Sequence, residues 1–140
     1  MKLRVEKTID IAACRALRRV VFMEEQGVSL ADEIDDLDEL STHLIAIVDG
    51  DFVGTARVHI TGKMAKIARV CVLFPVRGRG VGVALIKAAL EVGRSANGVT
   101  QAKLGAQTEA IGFYQRLGFE PVGPVYDDAG IPHQDMVLFL

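Results

Sequence analysis

One segment constrains the fold more than any other, the stretch at residues 70–82 with the sequence VCVLFPVRGRGVG. It joins a strand pattern to the start of a helical pattern through a turn that holds Arg77, Gly78, Arg79, Gly80 and Gly82. Glycines let the backbone turn tightly and approach a ligand, and free N–H groups at the start of a helix attract negative charge. We therefore expect an anion-binding site at residues 77–82, here named the 77–82 loop. A tight turn with no ligand would rarely need this mixture of glycine and arginine.

Two other kinds of phosphate loop are excluded by spacing. A dinucleotide-binding fingerprint, G-x-G-x-x-G, starting at Gly78 would need glycine at position 83, which is Val83. A Walker loop has lysine directly after its last glycine, and no lysine directly follows any of these glycines. The strands before the loop also read as antiparallel, and neither kind of phosphate loop follows an antiparallel meander.

Alternating apolar residues on either side of the loop predict a mixed α/β domain. Before the loop, strands are expected at residues 3–6, 43–48, 52–60 and 64–74. A helix with apolar residues at helical spacing should follow the first strand and end near Gly27, with an acidic short helix or ordered loop at 29–40. After the loop, a helix from Gly80, a strand at 101–106, a helix at 109–117 and a final extended pair are expected.

Length and charge narrow the classes of function. The chain has 140 residues, enough for one domain of roughly 100 to 150 residues, and we expect a single domain at 1–140. Its net charge of −2 gives no general attraction for nucleic acid. No apolar run approaches the ~20 residues that span a bilayer, and the first residues lack the apolar core of a signal peptide, so a cytoplasmic protein is expected.

Two cysteines and three histidines show no metal-ligand spacing, so we expect no metal site. No secretory signal favours a disulfide between Cys14 and Cys71. Cys71 lies in a strand pattern without a neighbouring base, which favours core packing over a nucleophile. The acidic residues at 32–39 are expected to form a solvated face, and the alternative is recognition of a cationic amine.

Two motifs carry a family resemblance. The pattern R-x-x-G-x-G at residues 77–82, after a V-x-V strand, resembles the coenzyme A pyrophosphate loop of GNAT N-acetyltransferases. The pattern Q-x-x-A-x-x-x-Y-x-x-x-G-F at 107–119 resembles the N-x-x-A-x-x-x-Y-x-x-x-G-F segment of that family at the expected distance. The order of elements agrees over essentially the whole chain. Residues 21–26, the acidic stretch and residues 127–133 are similar to the ElaA/YjcF-like branch.

The resemblance implies a fold and a cofactor. The expected fold is a central, mostly antiparallel sheet with helices on both faces, splayed near Val72 around a V-shaped cleft for acetyl-CoA. Backbone amides of Val70, Cys71 and Val72 would bond the pantetheine arm. Gln107, where the family commonly has asparagine, would make a polar contact to the cofactor. The pyrophosphate would be held at Arg77, Gly78, Arg79, Gly80, Val81, Gly82 and Val83.

The resemblance also implies a reaction, in which an acetyl group passes from acetyl-CoA to a primary amine of a small molecule or peptide by direct attack in a ternary complex. Tyr114 matches the frequent general acid of the family and would also contact the cofactor. Relatives often carry a glutamate at strand positions where this chain has Ala68 and Ala102, which leaves the general base open. Glu24, at the end of the first helix, and His133, in a Gly-Pro turn, are the candidates considered.

Other functions stay open on the sequence alone. The main alternative is a non-catalytic acyl-CoA-binding or regulatory module, because the cofactor motif is intact while the base is not evident. A nucleic-acid-binding module rests only on Arg77 and Arg79 and is opposed by the net charge. The oligomeric state is not fixed by the sequence, which is compatible with a homodimer.

Overall fold

The structure, a computed structural model, describes all 140 residues. Seven strands form a single sheet: β1 (Leu3–Thr8), β2 (Thr42–Val48), β3 (Asp51–Thr61), β4 (Met64–Val72), β5 (Gln101–Gln107), β6 (Glu120–Asp128) and β7 (Ile131–Phe139). Four α-helices accompany them: α1 (Ile11–Arg18), α2 (Leu30–Glu33), α3 (Val81–Ser95) and α4 (Ile111–Arg116). None of the helices is long and apolar enough to cross a membrane.

The sheet has the strand order β1-β2-β3-β4-β5-β7-β6 and is antiparallel except between β4 and β5. These two parallel strands pair only where residues 64–66 meet residues 101–103. Beyond Lys66 and Lys103 their ladder stops, although both strands continue. The expected mixed α/β fold, with a mostly antiparallel sheet that splays apart in its middle, is confirmed.

Helices cover both faces of the sheet, as expected. In β2, Leu44, Ala46 and Val48 belong to the main core under α3, while Ile45 and Ile47 pack with Leu17 and Val21 of the first helix. Since successive strand residues point to opposite faces, a central strand buried on both sides reads as a continuous apolar run. The sequence LIAIV at 44–48 is such a run. The sheet is therefore the middle layer of three.

A β-bulge lies in β4, beside the point where the sheet opens. Arg57 pairs with Ala68 and Thr55 with Cys71, so Arg69 and Val70 together oppose Ala56. Arg69 adopts a positive φ of 52°, which an L-residue adopts at a cost. The extra residue reverses the alternation of side chains. Ile67 lies in the core under α3, whereas Cys71 packs against the first helix.

Several boundaries differ from expectation for local reasons. Helix α1 widens at Arg19 into a π-helical segment, Arg19–Glu25, which we name the π segment. Strand β4 ends at Val72, because Pro75 lies in a short 3-10 turn, Phe74–Val76, and proline cannot donate to a sheet ladder. Helix α4 begins after a 3-10 turn, Thr108–Ala110, and β6 and β7 are longer than the extended pair that was expected.

Candidate active site

A cavity of about 450 Å³ opens where β4 and β5 diverge. Val70 lies on its β4 wall and Gln107 on its β5 wall. Phe22 of the π segment and Gln26, directly after it, form another wall. Further lining comes from the acidic residues at 32–39, here named the acidic segment, and from the β6–β7 hairpin. The cavity therefore occupies the gap that the missing part of the β4–β5 ladder leaves in the sheet.

Tyr114 lies on α4. Its ring belongs to the core, and the residue also lines the cavity. The residue is 9% exposed, and its ring makes edge contacts with Phe113 and Phe119. Burial raises the pKa of its hydroxyl to about 12. Desolvation is the only cause of this shift, and no hydrogen bond to the hydroxyl contributes to it. The hydroxyl is therefore a neutral proton donor on a residue that lines the cavity.

Gln107 lies at the end of β5, in the wall of the same cavity. Its side-chain Nε2 donates to Oε1 of Gln26 at 2.9 Å, which ties β5 to the π segment across the opening. His133 pairs with Gln107 across the β5–β7 ladder and also lines the cavity. The structure thus brings Tyr114, Gln107, His133 and Val70 together around one space.

The 77–82 loop lies beyond the end of β4, outside the lining of this cavity. Gly78 and Gly80 have φ values of 77° and 84°, in the left-handed region that favours glycine. Gly80 caps α3 without a side-chain hydrogen bond. A Cβ on Gly82 would lie 3.3 Å from the Phe113 ring. Residues 77–80 are exposed, whereas Val81 is buried in the core, and the N-terminus of α3 has no side-chain cap.

Arg77 is engaged by the protein itself. Its guanidinium donates twice to the Glu25 carboxylate, at 2.6 and 2.8 Å, and its Nε donates to the Val72 carbonyl oxygen at 2.8 Å. The hydrogen bonds from Arg77 lower the pKa of Glu25. Sequence reasoning did not foresee this pair, because 52 positions separate the two residues. Arg77 therefore joins the π segment to the end of β4.

Cys71 is 4% exposed, and burial raises the pKa of its thiol to about 12. A thiol in this environment does not supply a thiolate near neutral pH, so the side chain packs in the core, as the sequence favoured. Glu24 is exposed on the π segment, does not line the cavity and makes no ion pair. Ala68 lines the cavity and Ala102 is fully buried in the core. Neither strand position thus places a carboxylate in the gap.

The acidic stretch is not the solvated face that the sequence suggested. Glu33 and Asp38 are 6% and 2% exposed, and both pair with Arg18, which is itself 1% exposed. Arg57 of β3 donates to Asp35 and Asp38 at distances from 2.8 to 3.0 Å. The expectation was wrong because the neutralising arginines come from α1, β3 and β4, far away along the chain.

This network reaches the bulge of β4. Nη2 of Arg69 donates to the Glu33 carbonyl oxygen at 3.0 Å and to Asp35 at 3.2 Å. Burial opposes the ionisation of Asp38, but hydrogen bonds from Arg18, Arg57 and Arg15 hold its pKa well below the usual range. The acidic segment therefore clamps the strained backbone at Arg69, beside the cavity, to the rest of the domain.

Known proteins resemble this chain in the sequence and the fold that form this site. A model of the acetyltransferase (GNAT) domain family matches residues 17–140. The Bacillus subtilis protein YyaT is 38% identical over 133 residues, 93% of this chain and 89% of YyaT. The N-acetyltransferase YjcF of the same organism is 37% identical over 123 residues, 86% of each chain.

Solved structures share the fold. The crystal structure of Escherichia coli ElaA superposes with a TM-score of 0.85 at 29% identity and covers 98% of this chain and 99% of ElaA. A Bacillus subtilis acetyltransferase in complex with CoA superposes with a TM-score of 0.74 at 18% identity, over 99% of each chain. The family match spans the interrupted β4–β5 ladder, the 77–82 loop and Tyr114. This chain therefore belongs to the GNAT acetyltransferase family, in the branch that contains ElaA and YjcF, and is an acyltransferase.

Proposed function

We propose that this enzyme transfers an acetyl group from acetyl-CoA to a primary amine, carried by a small molecule or a peptide, through direct attack within a ternary complex. The observation that carries the proposal is the gap between β4 and β5. It connects the cavity holding Tyr114 to the strand end from which the 77–82 loop starts. The proposal includes a cytoplasmic location, where the buried thiols of Cys14 and Cys71 would stay reduced.

The 77–82 loop suits a pyrophosphate. Nothing lies within 4 Å of the positions that a Cβ would take on Gly78 and Gly80, so the backbone there is open to a ligand. The first turn of α3 offers N–H groups and the positive end of the helix dipole. Because Arg77 is paired with Glu25, we assign the anion contacts to these backbone groups and to the exposed Arg79. A Bacillus subtilis acetyltransferase of the same fold was solved in complex with CoA, which supports a CoA thioester as the donor.

In this proposal the cavity holds the thioester of acetyl-CoA and the attacking amine. In the proposed reaction the amine nitrogen bonds to the thioester carbonyl carbon, the C–S bond breaks, and the Tyr114 hydroxyl gives its proton to the departing sulfur. Because its pKa is raised, the Tyr114 hydroxyl is protonated at neutral pH and has a proton to give. Strand β4 has no β5 partner beyond Lys66, so those N–H groups at residues 70–72 that point away from β3 are open. We assign these open groups the thioester oxygen and the pantetheine arm.

Acetyl-CoA should raise the melting temperature of the wild type, and Gly80→Glu should abolish that rise by placing a carboxylate against the pyrophosphate. Gly98→Glu is the matched control, because Gly98 has a similar φ of 80° and equally open surroundings at the far end of α3. It should carry the same backbone cost and keep the shift. A wild type that shows no shift with any acyl-CoA would refute the proposed cofactor.

The acceptor is found by measuring release of free CoA from acetyl-CoA in the presence of primary amines, peptides and aminoglycosides. Acceptor-dependent release is expected for at least one class, with the acetylated amine as the second product by mass spectrometry. Acetyl-CoA binding without release for any amine would instead favour a regulatory acyl-CoA-binding role. Comparison with longer acyl-CoA thioesters defines the donor, since the volume of the cavity limits the length of the acyl group.

A further inference from the structure

A cluster on the β6–β7 hairpin lies in the cavity wall and is not used by the reaction as described so far. The rings of Tyr126 and His133 stack, with centroids 5.9 Å apart and planes at 22°. The two residues pair directly across the β6–β7 ladder. Tyr126 donates its hydroxyl proton to Asp135 at 2.7 Å, and Lys103 of β5 lies 3.4 Å from the same carboxylate. The imidazole is therefore held against a ring that is itself anchored.

The neighbouring strand leaves room for this cluster. Gly105 lies inside β5, and a Cβ there would overlap the hydroxyl oxygen of Tyr126. Glycine inside a strand loses packing and is entropically costly, so it usually marks a close approach by another group. Here the group that approaches is the hydroxyl that anchors Tyr126 to Asp135. Strands β6 and β7 therefore supply the side chains of the cluster, and Gly105 of β5 leaves the space that they need.

The backbone fixes the tautomer of His133. Its Nδ1 lies 2.7 Å from the carbonyl oxygen of Ile131, and because a carbonyl can only accept, Nδ1 carries the proton. In the neutral ring Nε2 then holds a free lone pair. Nε2 has no hydrogen-bond partner in the protein, and the residue lines the same cavity as Tyr114.

His59 is a second imidazole in the lining, but its Nδ1 lies 3.4 Å from the Leu40 carbonyl oxygen and it has no stacked ring of the kind that holds His133. The carboxylates of the cavity are engaged or peripheral. Glu33 and Asp35 are ion-paired with arginines, and Asp135 accepts from Tyr126. Asp32 and Asp128 make no ion pair, but both are exposed. Glu24 does not reach the cavity wall. An imidazole nitrogen on the wall, with its lone pair unused, is the group best suited to accept a proton from the acceptor.

We propose that Nε2 of His133 is the general base that takes the proton of the attacking amine, with Tyr126 as a positioning residue. This inference rests on the proposed acetyl transfer. As the N–C bond forms and the C–S bond breaks, the surplus proton of the nitrogen passes to Nε2 and the Tyr114 proton passes to sulfur. Exchange through solvent returns the imidazolium proton to the tyrosinate. An amine that enters as an ammonium ion first releases one further proton to water.

The other charged and titratable groups around His133 define what a pH profile reports. On its own side of the cavity are Tyr126 and Asp128 of β6, Lys103 of β5, Asp135 of β7 and Tyr114 of α4. The groups that face it across the cavity are Lys66 and Arg69 of β4, Arg57 and His59 of β3, Asp32 and Glu33 of α2, and Asp35. Among these, His59 is the only other imidazole, so His59 is the necessary control.

The test compares wild type, His133→Gln and His59→Gln in kcat/KM for CoA release from pH 5.5 to 9.5, with an acceptor found in the amine screen. We expect His133→Gln to lose about a hundredfold at pH 7 and to lose the part of the acidic limb that His133 contributes. The rise that remains should follow deprotonation of the amine itself, so the variant should approach wild type at high pH. His59→Gln should keep the acidic limb. Tyr126→Phe, which keeps the stacked ring, should keep the limb with a smaller loss.

The outcomes separate this inference from the function on which it rests. If wild type binds acetyl-CoA but releases no CoA with any amine, the proposed transfer fails. If wild type is active and His133→Gln lowers activity by the same factor at every pH, His133 is structural and the inference fails. Loss of the acidic limb in His59→Gln instead would assign the base to His59 and would also overturn it. Melting curves of each variant with acetyl-CoA confirm that it is folded and binds the donor.

Discussion

Tyr114 shows how one side chain serves both the core and the cavity. Two edge contacts with phenylalanine rings fix its ring, while the residue also lines the cavity. Adjacent residues on a helix point about 100° apart, so Phe113 and Tyr114 cannot face the same way. Phe113 accordingly packs beside Gly82, and Tyr114 faces the gap between β4 and β5.

Tyr114→Phe should lower kcat by about a hundredfold, because the substitution removes only the proton donor for the leaving sulfur. The acetyl-CoA-induced rise in melting temperature should stay within the error of wild type, since the ring and the 77–82 loop are unchanged. Initial rates with a saturating acceptor and melting curves of the same preparation give both quantities. Unchanged turnover would remove Tyr114 from the mechanism.

At the residue scale, sequence patterns indicated candidate side chains but not how each is bonded. Tyr114, Gln107 and His133, which were separate candidates in the sequence, line one cavity. The Arg77–Glu25 and Gln107–Gln26 contacts could not be foreseen, because they join residues 52 and 81 positions apart, respectively. Both contacts depend on how the π segment packs against the sheet. The spacing of apolar residues predicts an α-helix but does not show its change to π geometry.

At the element scale, the acidic segment holds the bulge of β4 in place through its contacts with Arg69. The sequence suggested a solvated acidic face, whereas the structure exposes Leu30, Ile34 and Leu40. It buries the carboxylates of Glu33 and Asp38 against Arg18 and Arg57 instead. A single charged residue read alone is expected in water, since burial of an unpaired charge is costly. Only the fold brings Arg18, Arg57 and Arg69 around the segment, and that explains why the sequence-based expectation failed here.

Asp38→Asn should destabilise the fold by about 3 to 5 kcal/mol at pH 7, because Arg18 and Arg57 then lose a buried counter-charge. The pKa of Asp38 is lower in the folded than in the unfolded chain, so its contribution is full above the unfolded value of about 4 and is lost as the pH falls further. Urea denaturation between pH 7 and 3 should therefore show a smaller loss of stability in the variant than in wild type.

Asp36→Asn is the control for this measurement. Asp36 lies in the same segment but is exposed and makes no ion pair, so its free energy of unfolding should change by less than about 0.5 kcal/mol. Equal destabilisation by both substitutions would mean that the segment is held by its backbone. In that case the ion pairs around Asp38 would not stabilise the acidic segment.

At the scale of the whole molecule, the fold consists of two sheet halves joined weakly in the middle. One half, β1 to β4, carries the first helix, and the other, β5 to β7, carries α4. A ladder of three residue pairs and the packing of α3 connect them. The antiparallel meander was predictable from alternation and turn residues, whereas the parallel β4–β5 pairing was not, because it joins strands with a long helix between them.

This construction predicts where a bound donor changes the motion of the backbone. Acetyl-CoA between the halves should slow amide hydrogen exchange at residues 70–72 and 78–83, whose N–H groups lie at the open edge of β4 and the start of α3. At about 100 times Kd, exchange that requires release of the donor should slow by about a hundredfold. Peptides from the β1–β2 ladder should change much less. In Gly80→Glu the slowing should be absent at both sites. Protection confined to the outer face of β6 would place the donor elsewhere and contradict the wedge between β4 and β5.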